Sequence, residues 1–130
     1  MVLFYFPPDG HMGTKRGLGF VRNLKAYGWE PIVLTVEPSL LYYPWYDNDL
    51  LSRIPPEVKV FRTKMFSNLM FNEVGTRWMP YLIPKARRIL KEIGFDAIFI
   101  TGGPYFHFLM GYFMKAVYGI PYVLDYRDGR

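Results

Sequence analysis

The sequence predicts an α/β fold: a doubly wound parallel sheet of five strands in the order 3-2-1-4-5, with helices on both faces, three layers deep. Three observations predict it. Short uninterrupted apolar runs at residues 2–6, 31–36 and 97–100 suit parallel strands buried on both faces. Amphipathic stretches alternate with these runs, and Gly28, Gly94 and Gly119 follow them where helices would stop. The last third, residues 95–130, reads as one strand–helix–strand unit with a charged tip, and such units join parallel strands by a right-handed crossover.

Taken in order, residues 2–6 are the expected first strand. They enter Pro7-Pro8-Asp9-Gly10-His11-Met12-Gly13, a loop of turn-forming residues that leaves backbone exposed. From Thr14 onward, Leu18, Val21, Leu24 and Tyr27 recur at three-residue steps among Lys15, Arg16, Arg22 and Lys25, which predicts an amphipathic helix ended by Gly28. Residues 31–36 make a second strand. Residues 37–57 carry Pro38, Pro44, Pro55 and Pro56 among Tyr42, Tyr43, Trp45 and Tyr46, and read as a long connection with one helical turn at 49–53. Residues 58–62 alternate and predict a third strand nearer an edge. The stretch 65–81, rich in Met, Phe and Trp, shows no clear period. Residues 85–93 are helical, with Ala86, Ile89, Leu90 and Ile93 opposite Arg87, Arg88 and Lys91. After the fourth strand, Gly102 and Gly103 end the run and Pro104 suits the first turn of a helix, where its missing N–H costs nothing. Gly119 closes that helix, Pro121 bars its continuation, and a fifth strand runs to Asp125.

At 130 residues the chain has the length of a single domain, 1–130, and a composition half hydrophobic and 21% charged belongs to a globular protein. It has no cysteine, which removes disulfides, thiolate metal sites and thiol nucleophiles. The net charge of +5 leans toward anionic partners. Residues 97–114 contain no formal charge, so a spanning helix must be weighed, but Gly102-Gly103-Pro104 in their middle favours a strand followed by a buried helix. The basic residues are scattered and lack the aromatic pattern of single-strand binders, so no nucleic acid is expected.

In open parallel sheets, ligands lie at the carboxyl ends of strands. That puts the Thr101-Gly102-Gly103-Pro104 and Asp125-Tyr126-Arg127-Asp128 segments on one rim, with the 10–14 loop facing them across the point where strand order reverses. The loop lacks the glycine spacing of a dinucleotide fingerprint and the Gly-Lys-Ser/Thr of a Walker loop, so dehydrogenase- and kinase-like chemistries lose ground. An anion or sugar contact at the loop, His11 included, stands beside a purely structural turn. Two histidines without cysteine argue against a dedicated metal site, and His107, early in an apolar helix, reads first as a core histidine. Asp125 and Asp128 have the chemistry of a general base or hydrogen-bond acceptor, with Arg127 as an anion clamp, or else form an ordinary solvated strand end. Residues 77–92 carry five basic residues and one acidic beside the aromatic, Met-rich stretch, which suits either a solvated helix face or a peripheral contact with an anionic membrane through 65–92.

Five stretches in this order resemble the N-terminal half of a family 4 glycosyltransferase of the GT-B architecture, the bacterial type found in polysaccharide and cell-surface glycan synthesis. They are Phe6-Pro7-Pro8 with the glycine loop and Arg16, then Leu24-x-x-Tyr27-Gly28-Trp29-Glu30-Pro31-x-Val33-Leu34-Thr35, then Asp49-Leu50-Leu51-x-x-Ile54-Pro55-x-x-Val58-x-Val60-x-Arg62-Thr63. Trp78 with Phe95-Asp96-Ala97-Ile98-Phe99-x-Thr101-Gly102-x-Pro104-Tyr105, and Gly119-Ile120-Pro121-x-Val123-x-Asp125-Tyr126-Arg127-Asp128, complete the set. Relatives often have Gly-Gly in the first loop, Pro-Pro before the tyrosine and Arg-Asp-Pro-Trp at the tip, where this chain has Gly10-His11, Gly103-Pro104 and Arg127-Asp128-Gly129-Arg130.

The resemblance implies a Rossmann-like, acceptor-side domain of an enzyme that moves a sugar from a nucleotide-sugar co-substrate to a glycan or lipid-linked acceptor, with no metal required. It implies that the 10–13 loop faces the donor phosphates and the transferred sugar. Arg127 and Asp128 line the cleft as the catalytic candidates. The substrate-binding candidates on the facing rims are Gly10, His11, Gly13, Arg16, Thr101, Gly102, Gly103, Tyr105 and Asp125. A donor-binding domain has no counterpart in this sequence, so the expectation is a chain that folds but does not catalyse alone, because half a cleft cannot hold both reactants in position. The alternatives are a stand-alone nucleotide- or sugar-binding module and the partner subunit of a split glycosyltransferase, docking a separate donor-binding chain. The expected location is cytoplasmic, with a peripheral contact on the inner membrane face as the further possibility.

Overall fold

Successive residues at the N-terminus face opposite ways. Leu3 and Phe6 are buried with Val21 and Val33 on one side, whereas Val2 and Phe4 are buried with Leu34, Val36, Trp78 and Ile100 on the other. The segment therefore lies between two hydrophobic clusters. The computed structural model describes residues 1–40, 45–66, 74–102 and 106–126.

The elements are α1 (Met12–Asn23), a 3-10 turn (Leu24–Tyr27), β1 (Ile32–Val36), 3-10 turns at Pro38–Leu40 and Asn48–Arg53, and β2 (Lys59–Thr63). Then come α2 (Val74–Glu92), β3 (Ile98–Thr101), a 3-10 turn (Phe106–Phe108), α3 (Leu109–Tyr118) and β4 (Tyr122–Asp125). β1 pairs in parallel with β2, from Ile32 opposite Lys59 to Val36 opposite Thr63. β3 pairs in parallel with β4, from Ile98 opposite Tyr122 to Thr101 opposite Asp125.

The class is mixed α/β, but the expected doubly wound sheet of five parallel strands in the order 3-2-1-4-5 is not formed. The described residues contain four short strands in two separate two-stranded parallel ladders. Residues 2–6 are not a strand. Only Val2 bridges, to Leu34 on one side and Ile100 on the other. Hydrogen bonds at this crossing are confined to Met1, Val2 and Leu3, including Val2 N–H to the Phe99 carbonyl (2.8 Å) and Leu3 N–H to the Leu34 carbonyl (3.0 Å). Beyond it the Phe4 carbonyl accepts from the Thr35 hydroxyl (3.3 Å) instead of from a backbone amide, and Pro7 and Pro8 have no N–H to offer. Apolarity made the run buried without making it a strand.

Both Val2 bridges are parallel, so β1 to β4 all run the same way and their carboxyl ends open on one side of the molecule. α1 covers the Leu3 cluster, and Gly17 lets it approach closely: a Cβ there would meet the Leu3 side chain at 3.1 Å. Leu18 and Val21 are buried while Tyr27 is exposed, because a three-residue step falls about 60° short of a full turn of α-helix and the predicted stripe drifts away from the core along α1. Gly28, Gly94 and Gly119 all have positive φ, as helix-ending glycines do.

α2 begins well before the predicted start at Lys85. It contains Pro80 and Pro84, and it is held by a buried stripe of Trp78, Leu82, Ala86 and Ile89 at helical spacing. Trp78 is fully buried, and its indole N–H donates to the Thr63 hydroxyl at the end of β2 (2.7 Å). Trp78 of the Met- and Trp-rich stretch is thus core, with the half-buried Met65 and Met79 packed against the same cluster, while Phe66 is exposed. Ile93, expected on the stripe, is exposed. α3 packs Met110 and Met114 into the same cluster, and a Cβ on Gly111 would lie 2.8 Å from the Tyr122 ring, so helix and strand are in direct contact there. No helix among the described residues is long and apolar enough to cross a membrane.

Candidate functional site

The side where the strands end collects two groups of polar side chains. The first is built on β3 and β4. Asp125, the last residue of β4, receives a two-pronged contact from Arg16 of α1: Nε to Oδ2 and Nη2 to Oδ1, both 2.8 Å. The Thr101 hydroxyl, at the end of β3, donates to the same Oδ2 (3.0 Å), and the Gly102 N–H donates to the Asp125 carbonyl (2.9 Å). Asp125 is 13% exposed and Arg16 47%, so the pair forms a charged lip rather than a buried bridge. The hydrogen bond to Asp125, reinforced by its charge, pushes the Arg16 pKa above its ordinary value, so the guanidinium stays cationic.

The second group is built on the loop after the N-terminal segment. Asp9 is buried, and its carboxylate is surrounded by donors: His11 Nδ1 (2.5 Å) and the Thr14 hydroxyl (2.5 Å), with the His11 backbone N–H at 3.1 Å. The His11 ring, one-third exposed, lies between two aromatic rings, Tyr5 (5.5 Å between centroids) and Trp45 (5.8 Å). The long connection supplies Trp45. Its residues fold back on the loop, with an antiparallel bridge between Asp9 and Tyr46, Gly10 N–H to the Trp45 carbonyl (2.6 Å) and Asp47 N–H to the Pro8 carbonyl (2.8 Å). Gly10 favours this approach, because a Cβ would meet the Trp45 carbonyl at 3.3 Å. Arg62 braces the loop from β2 through Nη2 to the Pro7 carbonyl (2.6 Å), and burial pulls its pKa below the ordinary value.

Of the residues expected to bind substrate, the structure joins Arg16, Thr101, Gly102 and Asp125 in one hydrogen-bonded cluster. Gly10 and His11 belong to the Asp9 loop. Gly13 lies in the first turn of α1. Gly103, Tyr105, Arg127 and Asp128 lie outside the described residues. His107 is a core residue: fully buried, with Nε2 at 3.0 Å from the Thr101 carbonyl and its ring 5.3 Å from that of Trp78.

Asp9, Thr14, Tyr5 and Trp45 were not legible as site residues. The available signal was Asp9-x-His11-x-x-Thr14, a short-range pattern in which acid, imidazole and hydroxyl meet only if the chain turns immediately into a helix. Nothing in the sequence paired Trp45 with this loop.

Two open grooves are present, the first bordering the cluster at Arg16. One, of about 440 Å³, runs along α1 between Arg16 and Tyr27, and the other, of about 570 Å³, lies along the basic face of α2 beside Tyr118. Neither contains the Asp9 loop. No group of three His, Cys, Asp or Glu side chains among the described residues is arranged to hold a metal ion. Comparison with protein-family models, curated proteins and solved structures finds no match to this chain.

Proposed function

We propose that this chain is the acceptor-side domain of a glycosyltransferase, holding a glycan or lipid-linked acceptor while a nucleotide-sugar co-substrate is presented from a complementary donor-binding unit. The observation that carries this function is the Arg16–Asp125–Thr101 cluster at the ends of β3 and β4, on the side where ligands meet parallel strands. Its exposed guanidinium, partly exposed carboxylate and neighbouring hydroxyl are hydrogen-bonding groups of the kind that orient a sugar. They also come from three of the stretches that carry the family resemblance. In this function the domain works on the cytoplasmic side, where the exposed Arg87, Arg88 and Lys91 of α2 suit a peripheral contact with an anionic bilayer.

A thermal-shift titration of the 130-residue chain tests it, comparing free and lipid-linked glycans with nucleotide-sugars. A ligand selective for the folded state adds about 2.7 kcal/mol at a hundredfold excess over its Kd. At this size each kcal/mol raises the midpoint by roughly 4 °C. A shift with glycans and none with nucleotide-sugars is the expected outcome. A shift with nucleotide-sugars alone makes the chain a nucleotide-binding module instead.

A second possibility, the partner subunit of a split enzyme, has its own support. Parallel strands are normally covered on both faces, yet Val123 of β4 is exposed, as are Leu109 and Tyr112 of α3 and Tyr126 just beyond β4. Sedimentation of the chain with a separate donor-binding domain would reveal a stable complex.

A further inference from the structure

We infer that His107 is the residue that positions the acceptor site: from inside the core its Nε2–H holds the Thr101 carbonyl, and so keeps the Thr101 hydroxyl and Asp125 where a sugar meets them. The inference rests on the acceptor-binding function proposed above and adds to it a side chain too deep to touch the ligand itself.

The backbone shows what the imidazole replaces. Val2 N–H donates to the Phe99 carbonyl (2.8 Å) and Thr101 N–H to the Val2 carbonyl (3.3 Å), two successive rungs of a parallel ladder. In a continued ladder the Thr101 carbonyl would next take the Phe4 N–H. Among the described residues no such bond is formed, because the N-terminal segment parts from β3 at that point. The His107 ring stands in its place, with Nε2 3.0 Å from the Thr101 oxygen. A carbonyl only accepts, so Nε2 carries a proton.

This donor joins the rim to the core. The imidazole is fully buried, its ring 5.3 Å from that of Trp78 and 5.6 Å from that of Phe108, and Trp78 is tied in turn to the Thr63 hydroxyl. Held by these neighbours, His107 grips the carbonyl of a residue whose own hydroxyl donates to Asp125 Oδ2 (3.0 Å), the carboxylate that Arg16 also grips. A backbone amide would have capped the same carbonyl but would also have extended the ladder toward the rim. The side-chain donor satisfies the carbonyl with no strand alongside it. A site needs contact groups fixed by neighbours that are themselves locked by packing, and His107 is that neighbour for Thr101.

The chain has two histidines, so imidazole nitrogen NMR of the full 130-residue chain resolves both rings, and a His11→Asn variant assigns them. His107 should be protonated on Nε2, and a ring protonated only on Nδ1 overturns the inference without any variant having to fold. Methyl glucoside, methyl galactoside and methyl mannoside are then titrated in turn. In the wild type the Thr101 and Asp125 amides and His107 Nε2 should move together along one binding curve. Amides that respond while the imidazole stays unmoved overturn the positioning role and leave the acceptor site standing. His107→Gln, whose amide can donate from the Nε2 position, should keep Kd within about twofold of the wild type. His107→Leu, which has no donor, should weaken binding about tenfold, of the order of one lost hydrogen bond. A folded His107→Leu that binds as tightly as the wild type reduces His107 to packing alone. Should that variant not fold, the wild-type curve decides. A wild type in which no amide responds to any of these glycosides removes the acceptor function, and the positioning role with it.

Discussion

Arg16 and Asp125, 109 residues apart in sequence, meet through two parallel 2.8 Å hydrogen bonds that tie the first helix to the last described strand. The contact closes the carboxyl side of the fold, because the same carboxylate takes the Thr101 hydroxyl. Arg16→Ala should cost only about 0.2–1 kcal/mol, as exposed ion pairs do. Asp125→Ala removes the acceptor for both partners and should cost roughly 1–3 kcal/mol. Urea unfolding of the two single variants and the double variant should give a coupling of about 0.5 kcal/mol or more. Strict additivity would mean that the contact contributes nothing in solution.

Trp78 is the side chain on which α2 depends. Trp78→Phe loses the hydrogen bond to Thr63 and part of the ring volume, so a destabilisation of roughly 1–3 kcal/mol is expected, rising to about 3–5 kcal/mol for Trp78→Ala. Chemical denaturation followed by circular dichroism measures both. Changes below about half a kcal/mol, the range of ordinary surface substitutions, would show that α2 does not depend on this contact.

Gly111 sets the distance between α3 and β4. An alanine there would gain about 1 kcal/mol of helix propensity but would drive its methyl into the Tyr122 ring, at a typical overpacking cost of roughly 1–3 kcal/mol. Gly111→Ala should therefore lower the thermal midpoint in the wild-type background. Made together with Tyr122→Ala, the same change should cost less than it does in the wild type, the Ile100 Cδ1 at 3.0 Å being the close contact that remains.

The same substitution should have opposite signs at two other glycines. Gly19 is inside α1, and a methyl group added there would have nothing within 4 Å, so Gly19→Ala should stabilise by about 0.5–1 kcal/mol. Gly119 has equal space but a φ of +71°, so Gly119→Ala should cost about 1–2 kcal/mol through the backbone alone. Paired thermal melts check the sign at each position, and a loss at Gly19 would point to an unseen contact on that face of α1.

Four of the predicted strands were legible: 31–36 and 97–100 because a parallel strand buried by its neighbours is apolar at nearly every position, 58–62 from its alternation, and the run ending at Asp125 from its place after the Gly119 helix stop. They correspond to β1, β2, β3 and β4 within a residue or two, except that β4 starts at Tyr122, after Pro121. The fifth, at residues 2–6, is equally apolar and is not a strand, since hydrophobicity reports burial and not pairing. Thr101, Gly102 and Asp125 could be anticipated because parallel strands gather their carboxyl ends, whereas Arg16 of α1 was singled out only through the resemblance. Asp9 and Trp45 could not, because their roles come from a tight local turn and from a distant loop laid across it.

By itself, then, the sequence determined what has a local cause. Glycines with positive φ end the helices, apolar runs go inside, and the strand–helix alternation gives parallel pairing. Tertiary structure decided what depends on a partner. It carried α2 through two prolines, since the buried stripe from Trp78 to Ile89 outweighs the local cost of the missing amides. It reduced the N-terminal run to a single bridging residue, because among the described residues the backbone ladder contacts to β1 and β3 come from Met1 to Leu3. And it gathered three donors, the His11 backbone N–H, His11 Nδ1 and the Thr14 hydroxyl, around the buried Asp9 carboxylate, since a buried carboxylate needs hydrogen-bond partners.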